Sequence, residues 1–370
     1  MKQVFLTYFL LCCIGINMAE AHDFEFETNA KLRALYSHSK LDEKTQKNNH
    51  FPMFSKIESV IRYNQSDSLS YNLYADLQAK LSDTIENLNQ GYWGEQLYAS
   101  VFSKYGDFYF GQMQNVGAML SVTNSGLSVW QSTPIEISDF IHNPNWQQKN
   151  KTKYYATLTS TVPNTDGSSL KFSYLTPEYK GTTLGFGFTP KVNSGDSLVS
   201  KFAQYDNNSA YSVALYKFFE FDNMQADFYF SFADYEHSHT EYGAGGSFYC
   251  KGWSVFASYL KTQTKGSDKP ITTVTKSENK KAYFDDFRDS TAYNLGVSYE
   301  FAYLTSSMSY FDSYSKNTQA HNRIINLHNS LKFDKNYALY LGCAYADFVD
   351  SNAQKSNKGY AIYTGIEFEF

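Results

Sequence analysis

The chain is 370 residues long with a formal charge of −5, and aromatic residues make up 18% of it, with Tyr alone contributing 32 positions. This mild acidity leaves no basic face for nucleic acid. A mean hydropathy of −0.47 beside so much Tyr is foreign to the dry core of a cytosolic enzyme and excludes a bundle of apolar spanning helices.

The amino end begins Met1-Lys-Gln, runs through apolar residues from Val4 to Met18 and reaches Ala19-Glu-Ala21. A charged start, a hydrophobic middle and an A-x-A exit make a secretory signal, cut after Ala21, so residues 22–370 form the mature, exported chain. The apolar run is too short to span a membrane, and no later segment holds the ~18 to 20 apolar residues that a spanning helix needs. Cys12 and Cys13 lie inside the hydrophobic run behind Leu11 rather than a small residue, which argues against lipidation. Cys250 and Cys343 fall by parity on the outward faces of strands that are not neighbours, so they read as unpaired thiols.

From Phe24 apolar residues recur at period two. Phe24, Phe26, Ala30, Leu32, Ala34 and Tyr36 oppose Glu25, Glu27, Asn29, Lys31 and Arg33. Over 53–65, Ile57, Ile61 and Tyr63 oppose Lys56, Glu58, Arg62 and Asn64. Over 68–81, Leu69, Tyr71, Leu73, Ala75, Leu77 and Leu81 oppose Ser70, Asn72, Asp76, Gln78 and Lys80. This alternation predicts strands with one greasy and one wet face. Two further strands, near 92–104 and 107–114, are joined by the tight turn Tyr105-Gly106-Asp107.

From 115 to 167 the pattern lapses into the longest irregular segment, which contains Ile135-Glu136-Ile-Ser-Asp139 and Asn143-Pro-Asn-Trp146. A loop this long inside a compact domain is normally functional or disordered. Within it, Tyr154, Ala156, Leu158 and Ser160 alternate like a strand. The stretch from Lys151 to Pro163 is nevertheless assigned to the loop, because counting it as wall would upset the order of long and short connections.

Strands resume at 168–179, 182–190, 208–221, 224–236, 239–250, 252–263, 289–301, 303–314, 321–334, 336–350 and 358–370, which makes sixteen. An even number returns both ends to one side, as bacterial single-chain barrels require. Asp222-Asn223, Lys251-Gly252, Ala302 and Lys335 are brief links on one side; 115–167, 191–207 and 264–288 are long links on the other. The final strand sets Tyr360, Ile362, Thr364, Ile366, Phe368 and Phe370 against Gly359, Ala361, Tyr363, Gly365, Glu367 and Glu369. A soluble sandwich has little reason to end on a bare Phe, whereas a strand closing a barrel in lipid needs an apolar outer face with aromatics at the interface. The fold class is therefore all-β, a transmembrane antiparallel β-barrel of sixteen strands.

A secretory signal, sixteen amphipathic strands, a long loop after the fifth strand and a terminal Phe together resemble the Gram-negative general diffusion porins. Tyr105-Gly-Asp-Phe-Tyr-Phe-Gly111-Gln112 is similar to the family's Gly-rich turn leading to a Gly-Arg pair, and Tyr174-Leu-Thr-Pro-Glu-Tyr-Lys-Gly181 to its Tyr-x-Ser-Pro-x-Phe-x-Gly turn. Gln112 departs from that pattern, and only four Arg occur, Arg33, Arg62, Arg288 and Arg323. The resemblance implies a passive channel for small hydrophilic solutes and ions, a homotrimer in outer-membrane lipid and lipopolysaccharide, and a third loop folded inward to form the constriction. It also implies that Phe370, with Phe368, signals to the barrel assembly machinery.

If the loop folds inward, Glu136 and Asp139 are candidates for its acidic side. Lys31, Arg33, Arg62 and Lys80, inward on the first three strands, are candidates for the basic wall facing it. No cofactor is expected, and no nucleophile elbow, H-E-x-x-H, phosphate loop or dinucleotide fingerprint occurs. His237-Ser-His239 lacks a nearby third ligand and reads as a solvent-exposed pair, and His328 reads as structural. A substrate-selective channel, an adhesin binding through its outer loops and a barrel enzyme are the alternatives. An inward run of aromatics would mark sugar selectivity, but Tyr74, Tyr98 and Tyr216 are too scattered to make one. The acidic total points to a mild cation preference.

Overall fold

In the computed structural model, the structure describes residues 24–41, 49–66, 68–81, 91–93, 96–122, 140–141, 143, 146–149, 152–155, 157–163, 166–192, 209–236, 239–265, 289–316, 319–334, 336–349 and 356–370. Sixteen strands form the wall: β1 Phe24–Leu41, β2 Met53–Ser66, β3 Leu69–Leu81, β4 Leu97–Ser103, β5 Gly106–Gln112, β6 Leu170–Leu175, β7 Thr182–Thr189, β8 Ala210–Phe221, β9 Met224–Tyr235, β10 His239–Cys250, β11 Trp253–Thr264, β12 Ser290–Phe301, β13 Leu304–Ser315, β14 His321–Lys332, β15 Tyr337–Val349 and β16 Ser356–Glu369.

Each strand pairs antiparallel with its sequence neighbours, and β5 meets β6 directly, Phe110 opposite Phe172. The seam closes where β16 pairs with β1 from Lys31↔Glu369 to Leu41↔Gly359. Phe370 completes it, because its N–H reaches Ala30 O at 2.8 Å and Ala30 N reaches Phe370 O at 2.9 Å. Closure into a ring pairs each described wall strand with a neighbour on both sides.

The period-two pattern sorts the faces as the sequence requires. Along β16, Tyr360 and Ile362 are exposed on the outer surface, while Ala361 and Tyr363 are buried inside. Phe110, Phe172, Val213, Phe230, Leu295, Leu341 and Ile362 continue an exposed apolar band around the barrel. A band this extensive would aggregate in water and is the surface that lipid covers. Cys343 is exposed and Cys250 partly so, both as free thiols.

Connections alternate in length. β8 to β9, β10 to β11 and β12 to β13 are two-residue hairpins in which Asp222, Lys251 and Ala302 adopt positive φ of 41°, 48° and 50°. That left-handed twist matches the twist of the flanking strands, which is why such tight hairpins demand it. Lys335 lies outside the described residues, and the turn beside it is held by the Asp334 carboxylate, which accepts from Asn336 N at 2.6 Å and Tyr337 N at 3.1 Å.

Two expected strands differ in extent. The 92–104 stretch is divided into Gly91–Trp93 and β4, both paired to β3. Asp76 of β3 makes the break, its carboxylate accepting Gln96 N at 2.8 Å while its own N–H donates to Gln96 O at 3.0 Å. The expected strand 168–179 ends at Leu175, because Pro177 offers no N–H to a ladder and the chain turns through the isolated Tyr179↔Thr182 bridge. Thr152–Tyr155 pairs with Trp146–Lys149 in a separate two-stranded sheet and takes no place in the wall.

Candidate permeation path

The described parts of the segment between β5 and β6 lie inside the barrel, touching inward side chains on both sides of it. At its root, Asn115 caps the short helix α1, Val116–Met119, by accepting Ala118 N at 3.0 Å, and its amide donates to Asp166 Oδ1 at 2.9 Å. Asp166 also receives Thr189 Oγ1 at 2.9 Å and faces Lys171 Nζ at 3.3 Å; both side chains of this ion pair are nearly sealed from solvent. Lys171 donates in addition to the carbonyls of Met113 and Gly167 at 2.8 and 2.6 Å. A buried charge pair is tolerable only when its remaining protons and lone pairs are satisfied, and here they are.

Beyond the root, α1 lies against the inner faces of β6 to β9. Farther along, Thr161 Oγ1 meets Ser258 Oγ of β11 at 2.6 Å and Thr157 donates to Ser313 of β13 at 3.4 Å. Leu158 packs with Val192, Ala210, Ala233, Tyr235, Leu260 and Ala292.

On the opposite side, Phe140 and Ile141 are buried among Leu35, Phe54, Ala344, Phe348 and Tyr363 of β1, β2, β15 and β16. Phe140 stacks on Tyr363 with ring centroids 5.9 Å apart and planes 6° apart, and Asn143 donates to Asn322 of β14 at 3.1 Å. Tyr363 can present that face because its ring lies over Gly342 of β15, where any Cβ would collide with the ring. Tyr363 is also fixed by Asn326 Oδ1 at 2.9 Å and His328 Nδ1 at 3.1 Å.

The residues expected on the basic wall lie on β1, β2 and β3. Arg33 is 4% exposed, its guanidinium held by Glu367, with Nε at 2.7 Å, and by the ring of Tyr340 at 5.0 Å. It is therefore a sealed charge rather than an open one. Lys31 stands between Glu367 at 3.7 Å and Glu369 at 3.5 Å. Arg62 pairs with Glu25 at 3.0 Å and donates to Asn72 at 3.0 Å, away from Lys31 and Arg33. Lys80 sits in β3 opposite Phe54 and Gly91. Glu136 and Asp139 lie outside the described residues.

Lys56 was legible as inward but not as the centre of a network; it bridges Glu58 at 2.7 Å and Asp76 at 3.7 Å. Asp166 and Lys171 gave no signal, because 51 residues of loop separate Asn115 from its partner Asp166. Phe140 and Ile141 were missed as well, though an apolar pair between Asp139 and His142 is a signal that could have found them.

Two histidine and aromatic readings are corrected. His239 is not solvent-exposed: it is fully buried and stacked on Tyr235 at 4.4 Å, because β10 begins at this residue and turns it inward. His237 lies outside the described residues. Tyr74 and Tyr98 are not scattered, since register places them directly opposite and their rings stack 4.8 Å apart.

A closed antiparallel ring with a greasy exterior, a polar interior and a loop laid through its lumen is a bacterial outer-membrane β-barrel of the pore-forming kind. The family model for Gram-negative porins matches residues 18–351, and the chain belongs to that family. Among solved structures it is similar to Salmonella typhi OmpF in complex with daunomycin, at TM-score 0.62 and 13% identity over 93% of this chain and 97% of that one. It is similar too to an anion-selective porin from Comamonas acidovorans, at TM-score 0.58 and 13% identity over 94% and 100%. The trimer form of OmpT from Vibrio cholerae matches at TM-score 0.54 and 9% identity over 94% and 100%. A comparison with curated proteins finds no match. The chain is an outer-membrane porin channel of a Gram-negative cell.

Proposed function

We propose that this porin is a passive diffusion channel for small hydrophilic solutes and ions, narrowed by the loop 115–167 and mildly selective for cations. The observation that carries the reading is the loop's double attachment, with its root locked by Asp166 and Lys171 and Phe140 docked on Tyr363 across the lumen. Such a loop obstructs a sixteen-stranded lumen without filling it. Selection then falls to the charges beside the gap. Arg33 and Lys171 are withdrawn into sealed pairs, while the carboxylates of Glu25, Glu58 and Glu369 are more exposed than the cations they pair with, Arg62, Lys56 and Lys31. Glu136 and Asp139 would add to the acidic side.

The remaining expectations extend this reading. The first 21 residues act as the export signal, Phe370 and Phe368 are read by the assembly machinery, and the assembly is a homotrimer set in phospholipid and lipopolysaccharide. The OmpT neighbour solved in a trimer form supports that oligomer by likeness of fold. The reaction is transport without catalysis, and no cofactor is invoked.

The test is reversal potential in planar bilayers under a tenfold KCl gradient. A potential whose sign marks K⁺ as the faster ion supports the reading, and a Cl⁻-selective potential overturns it. No conductance from a demonstrably folded barrel would overturn the channel itself and favour an adhesin.

A further inference from the structure

The inner faces of β2 to β5 carry a group of side chains that neither the loop's attachment nor the basic wall uses. Tyr74 and Tyr98 face each other across β3 and β4, stacked at 4.8 Å and 22°. Tyr98 continues to Tyr109 of β5 at 6.0 Å, and Tyr109 meets Phe102 edge to face at 5.9 Å. Four rings from three adjacent strands thus form one half-buried aromatic patch on the lumen wall. Gly111 stands opposite Tyr98 with φ 144°, and a Cβ there would strike the Tyr98 backbone, so this close approach is built into the strand pair.

Carboxylates border the patch. Tyr74 donates its hydroxyl to Glu58 Oε1 at 2.5 Å, and Glu58 lies opposite Asp76 in register. Asp107 shares the face of Tyr109 and is directly opposite Phe102. Lys56 and, opposite it on β1, Lys31 are the nearby cations, and both are already committed, Lys56 to Glu58 and Asp76 and Lys31 to Glu367 and Glu369. Oxygen acceptors therefore face the lumen here, the carboxylates of Glu58 and Asp107 and the phenol oxygens, against ammoniums already committed, while Asp76 is sealed and taken up by Gln96 N, Gln78 and Lys56. A carboxylate-bearing solute is repelled, and a sugar finds few donors. A solute with an ammonium or guanidinium head and an apolar body finds oxygen acceptors for its N–H groups, negative potential and ring surface.

We propose that this patch is a binding subsite for small amphipathic organic cations, which makes the channel locally selective among cations rather than a plain sieve. The inference rests on the channel reading given above. Each ring contact is weak, so the subsite holds solutes briefly and passes them on, as conduction requires.

The experiment adds phenylethylammonium to the full-length refolded trimeric or monomeric barrel in planar bilayers at fixed KCl, with tetramethylammonium, maltotriose and phenylacetate as comparison solutes. Concentration-dependent current interruptions by phenylethylammonium, weaker with tetramethylammonium and absent with phenylacetate, are expected. In Y98L and Y109L, each checked as folded by heat-modifiable gel mobility, the half-blocking concentration should rise at least tenfold. E58Q should weaken the block by the cation without creating one by phenylacetate. A channel that conducts KCl but is not interrupted by phenylethylammonium overturns the subsite and leaves the porin reading intact. Block by maltotriose equal to that by the cation, and insensitive to E58Q, overturns the cation assignment in favour of a carbohydrate site. Absence of KCl conductance overturns the underlying reading instead.

Discussion

Arg33 shows what a single side chain must satisfy inside this wall. Its guanidinium is enclosed between Glu367 and the face of Tyr340, so its charge is tolerable only while both contacts last. R33M leaves the buried Glu367 with only the more exposed Lys31, 3.7 Å away, as its cation, at a cost of about 3 kcal/mol, the lower end for a broken buried pair. The expected result is a clear drop in the temperature at which the barrel loses its folded gel mobility. The double variant R33M/E367L should recover most of the loss, since an apolar pair of similar volume removes the stranded charge. Phe370 poses a different question at the same scale. Its backbone bonds to Ala30 survive F370A, so the refolded variant should keep its seam and gel mobility. If the ring is an assembly signal, the amount of barrel recovered from cells should nevertheless fall several-fold. Equal losses in the tube and in the cell would make Phe370 a packing residue instead.

Among the elements, the loop through the lumen depends on its ends. Phe140 is 1% exposed and rests on a ring held flat by Gly342, so F140A forfeits stacking and burial worth ~3 to 5 kcal/mol to the docked tip. Because the wall is closed independently, its melting should change little while open-channel current noise rises and mean conductance shifts. K171M acts at the other end, leaving Asp166 sealed without its cation. It should raise current noise and also lower stability, because Asp166 ties β6 and β7 as well as the loop. A K171M channel as quiet and as stable as the parent would sink the view that this pair locks the root. The strands themselves need less explanation. Their faces, their order and the alternation of brief and long links follow from period two and turn chemistry, which are local properties.

For the whole molecule, sequence and structure divide the account along one physical line. Alternation along β1, β2, β3 and β16 determined which residues meet lipid and which meet water, and the even strand count pointed to a closed barrel. These are legible because each rests on neighbours two residues apart, and because lipid on one side and water on the other enforce a strict pattern. The inward positions of Lys31, Arg33 and Arg62 were equally legible. What each charge faces was not: Arg33 meets Glu367 across 334 residues, which only closure of the seam brings about. Burial of His239, the lock of Asp166 on Lys171 and the gathering of Tyr74, Tyr98 and Tyr109 likewise arise from register between strands and from the path of the loop. The sequence by itself determined the faces of this barrel. Its contents, the loop's anchorage and the lumen's chemistry, were decided by tertiary structure, because long-range pairing selects partners that no local period can name.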